Sequence, residues 1–256
     1  MKNKLVNTQN VKLFLAGILE LERRGAREAN MLMVVGDAGY GKTITVRRWA
    51  DMSDAIYLKG RPKLSPNQVM EDLIWELGEK PKHTIGRMEK QARRLLMASQ
   101  QPIVLDEAHF YLTDKASPLE MIRAVTETSE NAVILVSTEE IQTTIRHFPP
   151  LWSRVIPTVV RMNPASLEDV SLFCSDLCEV TVADDLVREI YHHTEGRYRV
   201  IKNAVAIVEQ FARRNRLERV TTADMVGEVI AHDWRDRSPL KVRKAKSRAK
   251  PRAGSV

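Results

Sequence analysis

The chain has 256 residues, with 40 Lys+Arg against 33 Asp+Glu, 43% hydrophobic residues and two cysteines. That length supports one large or two small domains whose cores need neither disulfides nor structural metal, and the composition is that of an ordinary globular protein. No run approaches the ~18–20 apolar residues of a membrane span, the first apolar stretch has no signal-peptide character, and two cysteines fit a reducing compartment, so a cytoplasmic protein with no membrane partner is expected.

Taken in chain order, Thr8–Arg24 carries apolar residues at helical spacing. Met31–Val35 is a continuous apolar run of strand length, as in a parallel sheet buried on both faces. A helix is predicted over Lys42–Asp51, a strand over Ala55–Leu58, and helices over Pro66–Leu77 and Gly86–Ala98. Strands follow at Ile103–Leu105, Ala132–Val136 and Val155–Val160, with a short helix at Ile141–Arg146. Strands alternating with helices predict an α/β parallel sheet. From Pro164 the pattern turns helical: Leu167–Leu177, Ala183–Thr194, Tyr198–Asn215 and Thr222–Asp233. The expected division is therefore an α/β domain over 1–163, a small all-helical domain over 164–236, and a tail over 237–256.

That tail holds eight of the basic residues and no acidic one, leaving 1–236 with 32 basic and 33 acidic residues. Such a segment is self-repelling and has little to bury, so disorder is expected, and its charge suits a polyanion such as nucleic acid.

The chemistry is concentrated in two places. Gly36-Asp37-Ala38-Gly39-Tyr40-Gly41-Lys42-Thr43 matches G-x-x-x-x-G-K-[ST] between a predicted strand and a predicted helix. In this pattern backbone N–H groups and the helix dipole cradle phosphates. Lys42 reaches the β- and γ-phosphates, Thr43 ligates Mg²⁺, and Ile44 completes the contact segment. Asp106-Glu107 ends the strand Ile103–Leu105, where paired carboxylates are costly unless used. Asp106 is the second Mg²⁺ ligand and Glu107 the group that polarises the attacking water. Asp106-Glu-Ala-His109 also spells a helicase-type box, but the chain is short for the second domain and the further motifs such helicases need. Cys174 and Cys178 stand four apart with too few partners for a metal site, and Trp49, Trp75 and Trp152 read as packing residues.

With these motifs the sequence resembles the AAA+ ATPases. More narrowly, it is similar over about residues 8–235 to transposition ATPases of the phage Mu protein B type. The resemblance implies a P-loop AAA+ sheet flanked by helices, followed by a helical lid, with ATP and Mg²⁺ as cofactors. It implies a polar sensor at Thr138, with Ser137 the alternative, and an arginine finger at Arg154 in Leu151-Trp-Ser-Arg154-Val, with Arg146 the competitor. It implies a second sensor at Arg199 in Gly196-Arg-Tyr-Arg199, and DNA-backbone contacts at Lys59, Arg61, Lys63, Thr84, Arg87 and Lys90. Little sequence precedes Gly36, so a separate helix-turn-helix domain ahead of it is not expected.

The function implied is ATP-dependent self-assembly, as a helical filament or ring, on double-stranded DNA with little sequence preference. A transposase is recruited there for target selection, in the cytoplasm of a bacterial or phage-infected cell, at the nucleoid. Two alternatives stand: a helicase loader or replication initiator, and, from another class, a nucleotide-dependent scaffold or signalling switch that binds no DNA.

Overall fold

The computed structural model describes residues 2, 4, 6–233, 235 and 238–242. The chain divides into two compact units between Pro164 and Ala165, and the described residues before Asn7 belong with the second.

The first unit is built on five parallel strands. Its elements in chain order are α1 (Gln9–Glu22), β1 (Met31–Val35), α2 (Lys42–Met52), β2 (Ile56–Lys59), α3 (Pro66–Glu76), α4 (Ile85–Ser99), β3 (Ile103–Asp106), a 3₁₀ turn (Ala108–Leu112), α5 (Thr113–Thr126), β4 (Val133–Ser137), α6 (Ile141–Ile145), α7 (Pro149–Trp152) and β5 (Val155–Arg161). The strand order is β2-β3-β4-β1-β5. Successive strand side chains point to opposite faces, and here both faces are covered. Met31, Met33, Val35, Leu105 and Leu135 join α3, α4 and α5 in one core. Leu32, Val34, Val104, Ile134 and Val136 join α1 and α2 in the other. This is why the strands read as unbroken apolar runs.

Helix starts follow local chemistry. Ser65 accepts from the N–H of Gln68, whose side chain returns to Ser65 N–H, and Pro66 occupies the first turn of α3. The helical pattern after Leu112 escaped sequence reading. Asp114, Lys115 and Ala116 have left-handed backbone angles inside the span of α5, and Pro118 follows, so the apolar period is broken where the helix begins.

The second unit has its own core around Phe173, Leu186, Ile190, Ile201, Val205 and Val208. It contains α8 (Leu167–Leu177), β6 (Thr181–Val182), α9 (Asp184–Thr194), α10 (Tyr198–Asn215), β7 (Arg219–Val220), β8 (Val229–His232) and β9 (Pro239–Lys241). Ser166 and Asp169 form a reciprocal cap on α8. Two short sheets, β6 with β7 and β8 with β9, join the three helices. One expected helix is absent from its place: Thr222–Asp233 is a run of turns leading into β8. Asp224 accepts from the backbone and hydroxyl of Thr221, Gly227 takes φ +88°, and the following Val229-Ile230 pair extends as strand. Within the segment expected as a tail, Pro239–Lys241 pairs with β8. The rest of the basic tail, residues 237 and 243–256, for which disorder was expected, lies outside the described residues. Among the described residues no helix is long and apolar enough to cross a membrane.

Candidate nucleotide site

The register of the sheet brings the two motifs level. Val35, the last residue of β1, pairs with Ser137 of β4. Asp106 of β3 pairs with Val136 on one side and Lys59 of β2 on the other. The loop Gly36–Gly41, the acidic pair and the ends of β2 and β4 therefore share the carboxyl edge of the sheet, the edge at which open α/β sheets bind ligands.

The loop turns into α2 at Gly41, whose φ of +85° places it in the left-handed region that an L side chain resists. Lys42 then donates from Nζ to the carbonyl oxygens of Gly36 at 2.6 Å and Asp37 at 2.9 Å. Its ammonium is held below the ordinary lysine pKa by burial, against the opposing pull of Glu107, Asp106, Asp37 and Glu139. Thr43 donates from Oγ1 to Asp106 Oδ2 at 3.1 Å, so the two expected Mg²⁺ ligands are in direct contact. Both are hard oxygen donors, which suits Mg²⁺. Among the described residues no cluster of three or more His, Cys, Asp or Glu could hold a metal.

Asp106 is 2% exposed, and a buried carboxylate needs donors. It receives three: Thr43, the N–H of Glu107 at 3.0 Å to Oδ1, and the phenol of Tyr57 at 2.5 Å to Oδ2. Glu107 itself has φ +53° and ψ +47°. A non-glycine residue in that region costs on the order of 1–3 kcal/mol and clusters at functional sites. The carbonyl of Glu107 accepts from Phe110 at 3.0 Å, and its Oε2 lies 3.6 Å from His109 Nδ1. Gly60 packs against this turn: its N–H donates to the Asp106 carbonyl at 2.8 Å, and a Cβ there would stand 2.6 Å from the Glu107 carbonyl oxygen.

The remaining expected residues fall at stated places. Tyr40, Ala38, Gly39 and Ile44 lie in the loop and the first turn of α2, and Ile44 is 57% exposed. Thr138 directly follows β4 and bonds through its side chain to Glu140, which lowers the Glu140 carboxyl below its ordinary pKa. Ser137, the alternative sensor, is buried with its hydroxyl 3.4 Å from His109 Nδ1. Arg154 precedes β5, and its carbonyl accepts from the N–H of Met31 at the start of β1. It therefore sits at the amino edge, a strand length of roughly 16 Å from the phosphate loop. Its guanidinium donates to Glu127 at 3.1 Å and to the Glu28 carbonyl at 3.4 Å. Arg146 lies over Trp152, 5.0 Å from the ring centroid. Arg199 is exposed in the first turn of α10, in the second unit.

Lys59, Arg61 and Lys63 are exposed on the segment leaving β2, with Arg61 paired to Asp72 at 2.6 Å. Thr84, Arg87 and Lys90 are exposed at the start of α4. The loop before α4 is fixed by Gln91, which donates to Glu79 at 2.9 Å and the Lys80 carbonyl at 3.0 Å and accepts from Lys82 N–H at 3.2 Å. Tyr57 and His109 were missed by sequence reasoning. His109 was visible in the Asp-Glu-Ala-His box, whereas Tyr57 has no motif and is found only through the pairing of β2 with β3.

Residues 23–145 match a family model described as an AAA domain. No curated protein matches the chain. Among solved structures, the Cdc6 protein of Pyrobaculum aerophilum superposes with a TM-score of 0.60 at 15% identity, over 87% of this chain and 66% of that one. The ORC1 protein of Aeropyrum pernix in complex with DNA gives 0.58 at 17% identity, over 86% and 63%. The Thermotoga maritima RuvB Holliday junction branch migration motor gives 0.56 at 16% identity, over 86% and 67%. The chain thus spans about two thirds of the length of these proteins, and at such identities the likeness shows the fold, which is the P-loop AAA+ fold.

Proposed function

We propose that this chain is an ATP-hydrolysing AAA+ protein that assembles on duplex DNA and there recruits a transposase for target selection. The observation that carries the enzymatic part is the contact of Thr43 with Asp106 beside Lys42 and the left-handed Glu107. Thr43 and Asp106 would hold Mg²⁺, which when bound neutralises charge on the phosphates. Lys42 draws the β- and γ-phosphates into the loop. Glu107 accepts a proton from the attacking water as its oxygen bonds to the γ-phosphorus and the bond to the ADP oxygen breaks. Arg154, held at the opposite edge of the sheet, is suited to reach the γ-phosphate of another copy, so that hydrolysis depends on assembly. Thr138 and Arg199 would sense the γ-phosphate.

The DNA part rests on the exposed basic segments at 59–63 and 84–90, on the charge of 237–256, and on the likeness to a fold seen with DNA. Such side chains beside a glycine and a hydroxyl suit phosphate contact rather than base reading. The transposase rests on the resemblance of the motifs to transposition ATPases. A replication initiator or helicase loader is the second reading, favoured by the likeness to Cdc6 and ORC1.

The test is binding to arbitrary duplex DNA with ATP, ADP or no nucleotide, for the wild type and Lys42→Ala, followed by capture of purified transposase or replicative helicase. ATP-dependent assemblies that retain transposase support the leading reading. Helicase capture replaces it with the loader, and ATP turnover without DNA binding replaces both with a switch.

A further inference from the structure

Tyr57 has no place in the nucleotide-binding motifs, yet it makes the shortest contact to Asp106. It lies on β2, one strand over, with its ring on the face covered by α2 and packed against the core there. The pairing of Tyr57 with Val104, two residues before Asp106, sets the phenol diagonally below the carboxylate, and the hydroxyl donates to Oδ2 at 2.5 Å. Arg47 of α2 lies over the ring, 5.5 Å from its centroid. Apolar packing alone would be served by phenylalanine. The hydroxyl is therefore explained by the acceptor it meets.

A carboxylate offers about four acceptor positions. Three are taken, by Tyr57, Thr43 and the N–H of Glu107. Thr43 must share its oxygen with the ion, whereas Tyr57 need not, so the phenol is the side-chain donor that persists when metal is bound. Donors to a ligating carboxylate orient it, and losing one typically costs 10–100-fold in metal affinity or activity.

We propose that Tyr57 is a positioning residue for Asp106, holding its carboxylate in the orientation that receives Mg²⁺ with the nucleotide. This rests on the nucleotide-site reading above and deepens it.

The experiment is Tyr57→Phe, which keeps the ring and removes only the hydroxyl. A fluorescent ATP analogue is titrated in EDTA and in Mg²⁺, and Mn²⁺ binding to the protein–ATP complex is followed by electron paramagnetic resonance. The expected result is unchanged affinity in EDTA, because Lys42 and the loop are intact, with the half-saturating concentration of Mn²⁺ or Mg²⁺ raised about tenfold. Turnover should recover at high Mg²⁺. A folded variant with wild-type metal half-saturation overturns the proposal, whether or not its melting temperature falls, because a merely structural contact behaves that way. Loss of affinity in EDTA also overturns it. A wild type that binds no nucleotide in either condition overturns the site reading itself, whereas wild-type Mg²⁺–ATP binding matched by Tyr57→Phe removes only this proposal.

Discussion

At the scale of residues, the proposed site gives one carboxylate of the acidic pair to binding and the other to chemistry. Asp106 is buried and held by three donors, while the Glu107 side chain is 44% exposed on a left-handed turn. Glu107→Gln should therefore keep ATP binding and lose turnover by ~10²-fold or more, the usual span for a general base. Single-turnover hydrolysis beside equilibrium binding checks this, and weakened binding would argue that Glu107 holds nucleotide instead. The cysteines behave differently. Both are free and buried, and burial pushes the Cys174 thiol up to about 12. A raised folded-state pKa stabilises the fold below the unfolded thiol value, and that contribution is lost as pH rises. The stability of the wild type should fall more steeply than that of Cys174→Ala between about pH 9 and 12, measured by denaturant unfolding. Parallel curves would refute it.

Elements set the geometry that these residues use. The end of β2 is pressed against the acidic turn by Gly60, so Gly60→Ala must move the Glu107 carbonyl or the ring of Tyr111, 3.1 Å from the added carbon. Turnover should fall while the protein remains folded, and wild-type kcat in a folded variant would show the turn to be slack. At the start of α3, Ser65 and Gln68 satisfy two helix N–H groups reciprocally. Ser65→Ala should cost ~1 kcal/mol, read as a lowered unfolding midpoint with unchanged ATP affinity.

For the whole molecule, the opposition of phosphate loop and Arg154 across the sheet gives the proposed assembly its logic. Arg154→Ala should lose most ATPase activity, as removal of an arginine finger costs about 10³–10⁵-fold. Mixing it with Lys42→Ala should restore a fraction, because one copy supplies the loop and the other the arginine. Mixtures as inactive as either variant would confine Arg154 to its pairing with Glu127. Binding to arbitrary duplex should weaken steeply with salt, and each of Lys59→Ala and Arg87→Ala should flatten the log–log slope by about one if it contacts phosphate.

The unbroken apolar runs determined the parallel sheet, because strands covered on both faces have no polar side to alternate. The phosphate-loop pattern and the Asp106-Glu107 pair were legible as motifs because each is a set of residue types at fixed spacing within a short segment. Capped helices such as Pro66–Glu76 and Leu167–Leu177 were legible for the same local reason. Tertiary structure decided what depends on pairing between distant segments. The contact of Tyr57 with Asp106 needs β2 beside β3. The closeness of Ser137, His109 and Glu107 needs β4 beside β3. The turns after Thr221 and the pairing of β8 with β9 need a partner strand. None of these leaves a periodic trace in the chain, because a hydrogen bond across a sheet is set by register between segments and not by spacing within one.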